Sequence, residues 1–116
     1  MASSRVVLRD LFGAEQDFSE LVWQPFRDGV EIVRLYGDGL RGPAAALLRY
    51  APGAQLPPHR HVDYEQIIVL SGSQRDEHGT YPAGTCLIHG PDTGHQVASD
   101  DGCVVLAIWN SPVAFE

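Results

Sequence analysis

The chain contains no lysine. All eight of its basic residues are arginines, set against 15 Asp and Glu, and the net charge is −7. An acidic chain without a basic stripe repels phosphate backbones, which argues against nucleic-acid binding. The charge itself asks for nothing beyond solubility. Cysteine is equally scarce: Cys86 and Cys103 are the only two and form no CxxC pair. A disulfide framework is therefore not expected, although one bridge is compatible with the count. Near the N-terminus the apolar run Val6-Val7-Leu8 is only three residues long, too short for a signal-peptide core or a membrane span. No membrane contact is expected, and the cytoplasm is the default location. There is also no G-x-S-x-G elbow, no phosphate-cradling glycine loop and no HExxH pair.

What is present suits one small β-domain. A chain of 116 residues buries roughly two thirds of the surface its unfolded form exposes, enough for one core. The 12 glycines and 8 prolines are spread along the chain, as in short elements joined by turns. A short helical turn is expected within residues 11–20, with Asp10 as its N-cap. From Gly29 onward the pattern is strand-like. Strands are predicted over 30–36, 44–50, 65–70, 85–89 and 103–109, separated by turn signals such as Gly37-Asp38-Gly39 and Pro52-Gly53. Cys103–Trp109 is apolar at nearly every position, so both of its faces are expected to be covered. Strands and turns at this spacing indicate a sandwich or barrel.

The most informative stretch runs from Gly53 to Glu65. Side chains alternate between the faces of a strand, so an uninterrupted strand would aim His59, His61 and Glu65 at one face. Ile67 and Val69 share that parity and would continue it as an apolar wall. Two imidazoles and a carboxylate inside an apolar barrel are costly unless compensated. A divalent cation compensates them, and this donor set suits zinc, iron, copper, nickel or manganese. An HxH pair by itself is not diagnostic; Glu65 at matching parity strengthens the reading.

Gly53, His59, His61, Glu65 and Gly72 stand in the spacing G-x5-H-x-H-x3-E-x6-G, which resembles the first motif of the cupin superfamily. Gly84 through His95 resembles the second. There are two departures: Pro91 and Gly94 are one residue further apart than in the usual motif, and Ser99 replaces a frequent asparagine. The resemblance implies an all-β fold, a single-domain cupin double-stranded β-helix or jelly-roll barrel. It implies a core over 29–112 with 1–28 as an extension packing on it. It also implies that His95 is a third imidazole ligand to one divalent ion (Zn, Fe, Ni or Mn).

Trp23-Gln24-Pro25-Phe26, Leu48 to Ala54 and Gly102-Cys103 are similar to the ChrR-type cupins. These form the C-terminal domain of certain zinc-dependent anti-sigma factors, and their branch also holds stand-alone proteins and some aromatic-ketone dioxygenases. No counterpart of the helical zinc domain that grips a sigma factor occurs in these residues, so anti-sigma function is not implied.

Three further residues are pocket candidates. His89 either lines the pocket as a donor or proton carrier, or is a strand-end histidine. Arg49 interrupts an apolar strand and either binds a substrate carboxylate or pairs with a carboxylate such as Glu31. Cys103 is open to a thiolate or redox role, or to a small core position, as is Cys86. Arg60 should point outward, and His78 sits in a polar turn. Two functions follow: a metal-dependent dioxygenase acting on a small carbonyl or aromatic compound, or a non-enzymatic metal- or ligand-binding sensory module. Apolar residues on both strand faces, including Ile68 and Leu70, predict a homodimer.

Overall fold

The alternating segment Val30–Tyr36 is a strand over its full predicted length, and so are Ala44–Tyr50 and Cys103–Trp109. The computed structural model describes residues 5–13 and 18–115. Within them the strands are β1 (Gln24–Arg27), β2 (Val30–Tyr36), β3 (Ala44–Tyr50), β4 (Gln55–Arg60), β5 (Glu65–Asp76), β6 (Gly79–Pro82), β7 (Cys86–His89), β8 (Gly94–Ala98), β9 (Cys103–Trp109) and β10 (Ala114–Phe115). Of the expected helical turn, Phe18–Glu20 forms one 3-10 turn, while residues 14–17 lie outside the described residues. Asp10 closes a separate turn through its carbonyl, which accepts from the Gly13 amide at 2.8 Å.

All strand pairings are antiparallel, in the order β1-β2-β3-β9-β5-β8-β4-β10, with β6 and β7 joined to β5. β5 makes the corner. Its first part, from Glu65, pairs with β7 and β9, and its last part, to Asp76, pairs with β6 and β8. A register shift between Val69 and Ser71 marks the bend, as bulges do where a strand changes sheet. Gly72 lies just beyond it with φ +69°, and a Cβ there would meet the Gly102 carbonyl oxygen. Only glycine fits that approach. The result is the expected all-β jelly roll. Strand pairing also reaches outside residues 29–112, through β1 at one end and β10 at the other.

The curled sheet has two differently used faces. The inner face packs Val30, Ile32, Leu48, Tyr50, Ile67, Val69, Val97 and Val105 into one core. The outer face of β3, β5 and β9 presents Leu47, Leu70 and Val104, with Ile68 and Leu106 beside them. Leu8, Leu11, Phe18, Leu21 and Trp23 cover this outer face. The surface that pointed to a dimer is thus largely buried by the chain's own N-terminal segment, because that segment brings apolar residues of its own to the sheet. Among the described residues no helix is long and apolar enough to cross a membrane.

Candidate metal centre

Three strands and one turn bring the four donors together. His59 is on β4, Glu65 opens β5 and His95 is on β8, directly opposite His59 in the ladder. His61 lies just beyond β4, in the connection to β5. The uninterrupted strand envisaged from parity is therefore broken after Arg60. The chain turns from β4, in one sheet, to β5, which starts in the other. His61 and Glu65 converge across this turn rather than along one strand. All four side chains are buried, and their donor atoms lie within 4.8 Å of one another. Bonds of about 2.1 Å place neighbouring donors of one ion roughly 3 Å apart and opposite ones roughly 4 Å apart, so the cluster fits a single ion. The three imidazoles meet edge-on, with centroids 4.6 to 5.4 Å apart.

The surroundings decide which nitrogen of each ring is free. His59 Nδ1 faces the Pro57 carbonyl at 3.1 Å; a carbonyl only accepts, so Nδ1 carries the proton and the Nε2 lone pair is available. The Thr93 hydroxyl donates to the Gly90 carbonyl at 2.6 Å, so it must accept from His61 Nδ1 at 2.9 Å. His61 Nε2 then faces Glu65 Oε1 at 3.0 Å. Two lone pairs at that separation repel unless a cation or a proton lies between them. His95 Nδ1 points at Asp76 Oδ2, 3.5 Å away, with both side chains buried. Neither ring nitrogen of His95 has a hydrogen-bond partner. Buried orphans of this kind are rare; an ion at Nε2 would satisfy that nitrogen, while Nδ1 has only Asp76 nearby.

Burial holds the ring of His95 neutral, pushing its pKa down to about 4, with the neighbouring His59 and His89 adding to the shift. Burial lowers His59 in the same way. Both imidazoles are therefore unprotonated near neutral pH, as a metal ligand must be. For Glu65, burial pushes the carboxyl up, but the adjacent His61 and the bond from the Trp109 indole outweigh this and hold it low. Burial likewise raises the Asp76 carboxyl, and bonds from the His78 amide and the Tyr81 hydroxyl bring it below its ordinary value.

Two supporting residues, Trp109 and Thr93, carried no signal as site residues in the sequence. Trp109, the last residue of the apolar run Cys103–Trp109, lies opposite Glu65 in the ladder and donates its indole N–H to Oε2 at 2.5 Å. A half-buried tryptophan needs such a partner, which was its one available clue. Thr93 belongs to the stretch in which the second motif is one residue longer than usual. Asp92 absorbs the extra residue with φ +66°. The Asp92 amide donates to the His61 carbonyl at 2.8 Å, and the His61 amide donates to the Thr93 carbonyl at 2.7 Å. The irregularity thus fastens the His61 backbone and ring. Ser99, at the other departure, is fully buried and donates to the Ser73 carbonyl at 2.6 Å.

The other candidates separate. His89 joins the cluster, with its ring stacked on that of His61. Arg49 points away from the interior, paired with Glu31 at 2.8 Å and lying over the Trp23 ring. Cys103 is in the core but opposite Tyr50, six residues from Trp109 along β9 and so roughly 20 Å from the centre. Arg60 points outward to Asp92, and His78 is exposed. Beside the centre is a cavity of about 340 Å³ lined by Phe26, Ile32, Arg34, Trp109 and Phe115 among others. None of the four donor residues lines it, but two of its wall residues touch them: Trp109 bonds to Glu65, and the Phe115 ring lies 5.4 Å from that of His59.

The family described as "ChrR Cupin-like domain" matches residues 14–113. The chain is 34% identical over 92 residues to the anti-sigma-E factor ChrR of Cereibacter sphaeroides, covering 71% of this chain and 43% of that protein. It spans less than half the length of that relative. In the crystal structure of Rhodobacter sphaeroides SigE in complex with the anti-sigma ChrR, a chain superposes with a TM-score of 0.71 at 26% identity, covering 81% of this chain and 52% of that one. An acetylacetone dioxygenase from Acinetobacter johnsonii superposes with a TM-score of 0.76 at 14% identity, covering 99% of this chain and 78% of that one. At that identity the likeness is one of fold.

Proposed function

The chain belongs to the ChrR cupin-like domain family, and we propose that it is a metal-dependent enzyme, a dioxygenase acting on a small carbonyl or aromatic compound. One divalent ion would be held by His59, His61, Glu65 and His95. The observation that carries the enzymatic reading is the cavity beside the centre. Trp109 and Phe115 each touch one of the four donor residues and also form the cavity wall, so a molecule lodged there would lie one side chain away from the donors.

When bound, a divalent ion supplies Lewis-acid chemistry, and iron adds chemistry with dioxygen. The protein's own part is positioning. Pro57 and Thr93 hold the rings of His59 and His61 with Nε2 turned inward, Asp76 lies near Nδ1 of His95, and Trp109 holds one carboxylate oxygen of Glu65 so that the other faces His61. Such outer partners orient ligands and tune their basicity. Phe26, Ile32 and Phe115 give the cavity an apolar side, opposed by the charged groups of Arg27, Arg34 and Asp38, so that a substrate with an apolar body and a polar end would suit it.

A second reading is favoured by the 34% identity to an anti-sigma factor: a sensory module whose ligand state alters a protein contact. Elemental analysis of protein from its own host, together with oxygen uptake over a panel of β-diketones and aromatic ketones, separates the two. Iron with substrate-dependent oxygen uptake supports the enzyme. Zinc with no uptake overturns it in favour of the module, for which a ligand-dependent change in assembly is then expected. A homodimer would have to use apolar residues that remain uncovered, such as Ile88, which is 65% exposed. Sedimentation at micromolar concentration tests it, and a monomer there rules it out.

A further inference from the structure

His89 is a fourth imidazole at the centre, outside the four-donor set. The register of β5 and β7 places it directly opposite Glu65, so the two side chains leave the sheet on the same face, a few ångströms apart. Its ring stacks on that of His61, with centroids 4.7 Å apart and planes 7° from parallel, and meets that of His95 edge-on at 4.5 Å. Its Nε2 atom is buried and has no hydrogen-bond partner. A buried polar atom left unpaired is costly, so this one calls for an explanation.

A fifth metal ligand is the first possibility, and the stacking argues against it. The lone pair of a ring nitrogen lies in the plane of its ring, so an ion bound through it lies there too. Stacked rings occupy separate, parallel planes. If His61 holds the ion, His89 cannot share it. His89 is left flanking the ion, with a nitrogen that can bond to something other than the metal.

We infer that His89 positions the exogenous ligand of this centre: its Nε2–H donates to a small anion or anionic oxygen taken up beside the ion. The site would then select ligands that both approach a cation and accept a hydrogen bond, such as a carboxylate or an enolate, over neutral molecules of the same shape. The inference rests on the metal-binding reading above and names the ligand class of that same site.

The full chain loaded with Co²⁺ provides the test, with azide as probe and visible absorption as the signal. Wild type, His89→Phe and His89→Gln are compared for bound cobalt and for azide affinity. Phenylalanine keeps a flat ring against His61 but has no donor, and glutamine restores an N–H. The expected result is one cobalt per chain in all three, with azide affinity about tenfold weaker in His89→Phe, the loss of roughly one hydrogen bond. In His89→Gln it should return to within about threefold of wild type. Unchanged azide affinity in a cobalt-loaded His89→Phe protein overturns the inference and leaves metal binding intact. Cobalt lost from both folded variants also overturns it, making His89 a ligand. A wild-type chain that takes up no cobalt overturns the metal-binding reading, and the inference falls with it.

Discussion

The two ends of the barrel interior are built from the same strands but do opposite work. At one end β5 and β9 contribute Val69, Val105 and Cys103 to an apolar core that also holds Val97 and Tyr50. At the other, the same strands contribute Glu65 and Trp109, and His59, His61, His89 and His95 gather around them. The first end lowers the free energy of the fold by removing apolar surface from water. The second gathers polar groups away from water and recovers their desolvation only through hydrogen bonds and, on the reading above, through a cation. The closed end should therefore govern stability and the polar end affinity.

The sharpest break in that comparison is His61→Ala. Metal affinity should fall by more than about 100-fold, since removing a ligand exceeds the 10–100-fold effect of an outer partner; unchanged metal stoichiometry by elemental analysis would refute the ligand set. At the closed end Leu48→Ala, at a buried inner-face position, should cost about 2–5 kcal/mol in urea unfolding with metal stoichiometry intact. Metal lost in parallel with stability would show that the two ends are not separable. Adding metal at about 100 times its Kd should stabilise the wild type by about 2.7 kcal/mol and leave His61→Ala unmoved; an equal gain in both would place the ion elsewhere.

Thr93→Val removes the acceptor for His61 Nδ1 and should weaken metal binding about 10-fold or more, with little change in unfolding midpoint. The smallest effect is expected from the thiols. Burial raises Cys103 to about 11, against a hydrogen bond with Ser99 that lowers it. The stability this contributes is present below pH 9 and lost as the pH climbs toward 11. At pH 8 a thiol reagent should label the exposed Cys86 well before Cys103. Equal labelling rates would show that the closed end opens readily.

Much of the fold was legible because local pattern and long-range pairing agree. β2, β3 and β9 end where Gly37, Pro52 and Asn110 follow apolar or alternating runs. Ile67 and Val69 continue the interior wall that parity predicted. The donor set was legible for a mixed reason. His59 and Glu65 do face one interior, yet His61 reaches it from a turn, and the second motif rather than periodicity pointed to His95.

What a single sequence could not convey are contacts between residues far apart along the chain. Arg49 had two partners open to it, and the β2–β3 register, placing Glu31 directly opposite, selected one. Trp109 read as a large apolar residue until pairing with Glu65 gave its indole an acceptor. The resemblance put residues 1–28 against the barrel without saying where; the fold sets Leu8, Leu11, Phe18, Leu21 and Trp23 on the outer face of β3, β5 and β9.

The absence of lysine and of long apolar runs, the alternating strands and the spacing of His59, His61 and Glu65 are local properties, written into neighbouring residues, and they were readable at once. The tautomers of the histidines, the stacking of His89 on His61 and the cavity beside the centre exist only after strands distant in sequence pair in one register. Only that pairing sets which acceptor faces which nitrogen.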